Sequence, residues 1–287
     1  MTKLPEPKAS CRVLAISSQV VRGHVGLSAI VPALQALSHE VWPIPTILLS
    51  NHPGHGRVSG MRVPAEQLDA MLDALDGNGW LRDVDAVVTG YLPSADHVAV
   101  AMRAIARTRS HRPRAHVLVD PVLGDDPKGL YIDPAAAAAI RDQLLPLADI
   151  VTPNRFELAW LTEQQVTGLQ NVVQAAGALR RPAVIVTSAI VGEAISTVLT
   201  TAGQVIVASV PRREHAPHGT GDLLAALVIG HLVSGRPASE ALARAVRGVD
   251  TVIDASCGHD ELQLAGVLTR LAAADPWPLA HQPGPAA

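Results

Sequence analysis

Gly219-Thr220-Gly221-Asp222 stands directly before the apolar run Leu223-Leu224-Ala225-Ala226-Leu227-Val228-Ile229. This reads as a glycine turn opening into a helix. A helix N-terminus carries unpaired backbone N–H groups and a partial positive charge, so it attracts anions such as phosphate. Glycines let those amides approach an anion with no Cβ in the way. A carboxylate at Asp222 would repel a bound phosphate, unless its task is to take a proton from a hydroxyl that attacks phosphorus. On these four residues alone, an ordinary capped helix start, with Thr220 or Asp222 as the cap, is equally open. Two more polar clusters bear on the choice. Asp120-Pro121-Val122-Leu123-Gly124-Asp125 places two acids around a Pro/Gly turn. Two hard carboxylates beside a phosphate site suit magnesium or a monovalent cation. Thr152-Pro153-Asn154-Arg155-Phe156-Glu157 supplies a second polar turn. Glu157 there either orients metal-bound water or compensates the dipole of a helix start.

Those clusters need a scaffold. Short apolar runs alternate with helical stretches: 12–17, 41–48, 85–89, 116–119, 149–151 and 183–187 read as strands, with Pro43 and Pro45 breaking the second. Helical spacing covers 27–37 and 95–108. Runs apolar on both faces, separated by helices, predict a buried, mostly parallel sheet between two helical layers, a three-layer α/β sandwich. Residues 193–199 and 204–210 flank Thr201-Ala202-Gly203 and read as an antiparallel hairpin at one sheet edge. After Asp222 the reading is helical throughout, over 223–234, 238–253 and 260–273. No break divides the chain, so 1–287 is taken as one domain with frayed tails at 1–10 and 275–287. Ligands of open α/β sheets bind beyond the carboxyl ends of the strands. Ser17-Ser18, Thr89-Gly90-Tyr91, Asp120-Pro121, Thr152-Pro153-Asn154 and Thr187-Ser188 all follow strand ends. They form a polar rim.

Composition narrows the partners. A formal net charge of -3 gives no pull toward nucleic acid or an anionic membrane. Cys11 and Cys257 are the two cysteines, too few and too distant for a thiolate zinc site. No apolar run reaches a membrane span and the N-terminal residues are polar, so a cytoplasmic protein is expected. No GxxxxGK[ST] occurs; a nucleotide would be held by a glycine turn and a helix dipole instead. The His52/His55 and His215/His218 pairs lie in Pro/Gly-rich loops with no third ligand apparent, and they are not taken as metal sites.

With these segments in hand, the chain resembles the pyridoxal kinases of the ribokinase superfamily. The resemblance rests on 17–26 (SSQVVRGHVG), Ser50-Asn51-His52, Thr89-Gly90-Tyr91, 120–125 (DPVLGD), 152–157 (TPNRFE), Val186-Thr187-Ser188 and Gly219 to Asp222, in the family's order over about residues 12–255. It implies a ribokinase-like fold and transfer of the ATP γ-phosphate to the 5′-hydroxymethyl of pyridoxal. Asp222 would be the base, and Gly219, Thr220 and Gly221 the anion hole. Asp120, Thr152, Asn154, Glu157, Thr187, Ser188 and Thr220 would serve ATP. Asp120, Asp125, Thr152 and Glu157 would serve Mg2+ or a monovalent cation such as K+. Ser18, Pro53, Gly54 and Tyr91 would line the substrate pocket, and residues 126–132 would cover ATP. The family usually carries Thr after Ser-Asn-His, where this chain has Pro53-Gly54. The resemblance also implies a homodimer. Two other functions stay open: a hydroxymethylpyrimidine kinase of thiamine salvage, and a non-catalytic carrier of pyridoxal phosphate.

Overall fold

The computed structural model describes residues 10–283. Its strands are β1 (Arg12–Val20), β2 (Glu40–Leu49), β3 (Gly60–Arg62), β4 (Ala86–Thr89), β5 (His116–Val119), β6 (Gly124–Asp125), β7 (Gly129–Leu130), β8 (Ile150–Val151), β9 (Ala183–Val191), β10 (Ala194–Thr201), β11 (Gln204–Pro211) and β12 (Ala280–Pro283). The α-helices are α1 (Leu27–Ala36), α2 (Ala65–Gly77), α3 (Ala95–His111), α4 (Pro134–Ala139), α5 (Arg155–Thr162), α6 (Leu169–Ala178), α7 (Thr220–Val233), α8 (Ala238–Ala255) and α9 (Leu268–Ala273). One sheet runs β12-β11-β10-β9-β8-β5-β4-β1-β2-β3, and β6 and β7 form a separate hairpin. The six strands from β2 to β9 in that order pair in parallel; β3, β10, β11 and β12 pair antiparallel at the two ends.

Alternation along β1 shows why the sheet is covered on both faces. Val13 and Ala15 pack with α1, α7 and α8, whereas Leu14 and Ile16 pack with α2 and α3 on the other side. A third cluster joins α5 and α6 to Val184, Val186, Val198, Val205 and Val207 near the β9–β11 end. The core is aliphatic, as so few aromatic residues require. Helix α7 is apolar around its whole circumference, and Leu223 to His231 are all buried. A helix of that kind belongs in a protein interior, which fixes its N-terminus firmly under the sheet's carboxyl rim.

Four expectations need correction. Pro43 and Pro45 do not break β2. They are two residues apart, so their nitrogens face the same edge; β3 pairs only with Ile47 to Leu49, leaving no strand beside them to ask for a donor. Ser17-Ser18 and Thr187-Ser188 do not follow strand ends: they lie inside β1 and β9, which run on beyond their parallel pairing with β4 and β8. The antiparallel hairpin β10–β11 stands at one end of the sheet as expected, with β12 pairing outside it. Residues 275–283 are accordingly not a frayed tail: the Trp277 indole donates to Ser209 O at 2.9 Å and lies against Arg247. The rest of the expected tails, 1–9 and 284–287, falls outside the described residues. Lastly, 260–267 is a series of turns, and only Leu268–Ala273 continues as helix. Among the described residues no helix is long and apolar enough to cross a membrane.

Candidate active site

At the carboxyl rim of the parallel strands lies a cleft of about 970 Å³. Every residue expected to serve substrate, nucleotide or cation lines it: Ser18, Pro53, Gly54, Tyr91, Asp120, Asp125, Thr152, Asn154, Glu157, Thr187, Ser188 and the whole of Gly219 to Asp222. Ser17, Thr89, Gly90, Pro121 and Pro153 of the expected rim do not.

The opening motif forms the turn that its composition suggests. Gly219 is the N-cap of α7 with φ 100° and supplies no side-chain acceptor. A Cβ there would stand 1.9 Å from His24 O, so only glycine lets the β1–α1 turn lie against this helix start. The first helical bond runs from Leu223 N to Gly219 O at 3.0 Å. Asp222 faces the cleft between Gly26, whose N–H it accepts, and Gly90. Burial pushes its carboxyl up to about 6, against the opposing pull of backbone N–H donors. Such a carboxylate is a competent proton acceptor near neutral pH.

Opposite it is an acidic wall. Asp120 is buried, and its carboxyl is pushed well up by desolvation and by the nearby Glu157 and Asp222; Thr152 Oγ1 donates to it at 3.0 Å. Glu157 starts α5, where Asn154 Oδ1 accepts from Glu157 N at 2.9 Å and Glu157 Oε2 accepts from Asn154 N at 2.8 Å. This is a reciprocal capping box. Glu157 Oε1 accepts a further N–H, from Leu123 at 2.8 Å, and Asn154 Nδ2 donates to Gly124 O at 2.8 Å. Burial still raises the Glu157 carboxyl to about 7. The pair thus braces the 120–125 turn while it lines the cleft. Val122 in that turn has φ 43° and Ser188 has φ 46°. A β-branched residue held there is strained, and such strain gathers at ligand sites.

The donor set fits a hydrated hard cation. Asp125 Oδ1 is buried with no partner in the protein, next to further carboxylates. Among the described residues no three His, Cys, Asp or Glu side chains gather closely enough to cage a metal. Magnesium in nucleotide sites keeps waters and binds one or two carboxylates plus phosphates, so a full protein cage is not required.

Backbone bonds set the substrate end. Tyr91 N donates to Ser17 Oγ at 3.1 Å and Thr46 Oγ1 donates to Tyr91 O at 2.8 Å, locking the turn after β4. One histidine of each pair meets the other: His52 stacks on His218 with ring centroids 3.9 Å apart, and His55 Nε2 lies 2.8 Å from Glu261 Oε1. His218, Val122, Tyr131 and Phe156 also line the cleft, and none of them is given a site role by the sequence reading. His218, immediately before the glycine turn, is the one its sequence position could have flagged.

Residues 31–264 match a family model described as phosphomethylpyrimidine kinase. A Corynebacterium diphtheriae protein named pyridoxal kinase PdxY is 34% identical over 92% of this chain and 96% of its own length. A Bordetella bronchiseptica protein named pyridoxine/pyridoxal/pyridoxamine kinase is 37% identical over 89% of this chain and 94% of its own. The structure of pyridoxal kinase from Leishmania donovani with ADP and pyridoxamine superposes with TM-score 0.89 at 28% identity, covering 95% of this chain and 99% of that one. The family model's description names a phosphomethylpyrimidine, the curated relatives name pyridoxal and its vitamers, and both place the chain in one superfamily. By sequence and by fold, this chain belongs to the pyridoxal kinases of the ribokinase superfamily.

Proposed function

We propose that this chain is an ATP-dependent kinase that phosphorylates the 5′-hydroxymethyl group of pyridoxal, with Asp222 as the general base. One observation carries the reading: the N-terminus of α7, the Asp222 carboxylate and the polar ends of β1, β4, β5, β8 and β9 open into the same cleft. Asp222 takes the hydroxyl proton as the substrate oxygen attacks the γ-phosphorus in line, and ADP leaves with its bridging oxygen carrying the released electron pair. The backbone N–H groups of Thr220 and Gly221, which precede the first bond within α7, receive the charge that builds on the transferring phosphoryl group. Thr187 and Ser188 border the nucleotide, and Ser18, Pro53, Gly54 and Tyr91 border the substrate ring. Asp120 and Glu157 would hold Mg2+, which would neutralise charge on the nucleotide phosphates, and Asp125 and Thr152 would suit a monovalent cation such as K+. The hairpin β6–β7, between the 120–125 turn and Tyr131, excludes water when it covers the nucleotide.

Exposed Val21, Leu48 and Met61 beside the β3 edge give a homodimer apolar surface, and a cytoplasmic location accords with this activity. The test is ADP release with ATP, magnesium and a panel of alcohols. The expected result is a higher kcat/KM for pyridoxal than for hydroxymethylpyrimidine. The opposite preference would overturn the substrate assignment. Tight pyridoxal phosphate binding with no turnover of any alcohol would mark the chain as a carrier.

A further inference from the structure

Glu261 takes no part in the chemistry above, yet it is only 7% exposed. It sits in the turns between α8 and α9, far along the chain from the substrate end of the cleft. Its Oε1 accepts from Arg22 Nη1 at 3.0 Å and from His55 Nε2 at 2.8 Å. Arg22 is held in turn by Asp260, at 2.9 Å and 3.1 Å to its two oxygens. The backbone of Gly23 presses on the same carboxylate: a Cβ there would lie 2.3 Å from Glu261 Oε2. Burying a carboxylate is costly unless charged donors meet it, and a hydrocarbon side chain would fill the place at less cost. The donors that meet it come from two separate loops.

Both loops are walls of the cleft. The β1–α1 turn carries Arg22 and Gly23 and contributes Val25, just after Ser18 and Val20. The loop between β2 and β3 carries His55 and contributes His52, Pro53, Gly54 and Val58. Within that loop Gly54 N donates to His52 Nδ1 at 3.0 Å, and Asn51 Nδ2 donates to His52 O and Arg57 O, each at 3.0 Å. These local bonds shape the loop but do not place it. Its base is tied to the β1–α1 turn by Val21 N to Leu49 O and Arg22 N to Ser50 O, each 2.9 Å; its outer part meets the His52–His218 stack on one side and the His55–Glu261 contact on the other.

We propose that Glu261 is a positioning residue for the alcohol substrate: by gripping Arg22 and His55 together it holds the outer part of the 51–58 loop against the β1–α1 turn. This rests on the assignment of the cleft as a pyridoxal kinase site. The β1–α1 turn meets the start of α7 through His24 and Gly26, and Asp260 holds Arg22 whether or not Glu261 is charged. Loss of the grip therefore frees the 51–58 loop rather than that turn, weakening substrate binding while the nucleotide end, built on the 120–125 turn, α5 and the start of α7, keeps its place.

Steady-state kinetics on the full chain test this, with pyridoxal and ATP varied separately for wild type, Glu261→Gln, His55→Gln and the double variant. Glu261→Gln is expected to raise the KM for pyridoxal about tenfold, equivalent to ~1.4 kcal/mol, while the ATP KM and kcat stay within about twofold. His55→Gln should act in the same direction, and the double variant should be no worse than the more severe single one, because both remove one contact. An unchanged pyridoxal KM, an equal rise in both KM values, or additive effects would each overturn the proposal. A residue that merely supported the fold would lower Tm and leave the KM ratio alone. If Glu261→Gln fails to fold, His55→Gln, on the more exposed side of the contact, carries the same criteria. A wild type silent on pyridoxal overturns the functional assignment and the grip with it; an active wild type with indifferent variants overturns the grip alone.

Discussion

Replacing Asp222 with Asn separates catalysis from stability, and the two should move in opposite directions. Asn keeps the shape and an oxygen to accept the Gly26 N–H, but it cannot take a proton. Loss of a positioned base costs about 10²- to 10⁴-fold in kcat. Stability runs the other way. Burial raises the carboxyl from an ordinary 3.8 to about 6, so the folded chain holds that proton more tightly than the unfolded chain. The stability tied to that proton is full below the unfolded value and is lost as pH rises through about 6. At neutral pH the folded protein therefore carries a charge that it disfavours, by about 3 kcal/mol before discounting. Asp222 is open in part to the cleft, and solvent screening reduces the figure to ~1–2 kcal/mol. For a domain of this size that is a rise in Tm of about 2–8 °C. Calorimetry at pH 7 and ADP release measured on the same preparation give both numbers. The advantage should vanish below about pH 4, where the wild-type carboxyl is protonated in both states. An Asp222→Asn protein with wild-type turnover would refute the base assignment. One that melted several degrees lower would refute the electrostatic account.

Three further outcomes follow from the same geometry. For wild type, kcat/KM for pyridoxal should fall as pH drops through about 6, because the base must be ionised; a profile flat from about pH 5 to 8 would remove Asp222 from that role. Asn154→Ala deletes the acceptor for Glu157 N and the bond to Gly124 O, so denaturant titration should show a loss of ~1–2 kcal/mol, with turnover falling as the 120–125 turn loosens. Gly219→Ala places a Cβ 1.9 Å from His24 O at φ 100°; either the helix start or the β1–α1 turn must shift, costing ~1–3 kcal/mol in stability and displacing the anion-binding amides, which a drop in kcat at saturating substrate would report.

Much of this was legible beforehand, for physical reasons. Parallel strands are buried on both faces, so they read as plain apolar runs, and the residues just past their ends read as a rim. That logic located Tyr91, Asp120 and Thr152; Ser18 and Ser188 reach the same cleft from inside β1 and β9, which are longer than their apolar runs. Glycine before an all-round apolar helix likewise marked the start of α7. What stayed hidden depends on partners remote in sequence. Pro43 and Pro45 look like strand breakers until β3 is seen to stop short of them. Helices α2 and α6 went unread, and β12 gains its pairing from β11 some seventy residues earlier. The role of Asn154 and Glu157 in bracing the 120–125 turn needs the 30-residue reach to Gly124 that only folding supplies. The His52–His218 stack and the Glu261 contact are of the same kind: each joins segments that no local pattern connects.

The acidic wall of the cleft has a calorimetric consequence. Asp120, Glu157 and Asp222 all hold protons more tightly than free carboxyls do, so the protein near neutral pH enters binding partly protonated. A divalent cation arriving with a nucleotide favours the ionised forms and expels those protons into the medium. The heat of Mg·ATP binding should then depend on the ionisation enthalpy of the buffer, with a slope that counts protons released. That slope should shrink as pH rises above about 7, where the wall is already ionised.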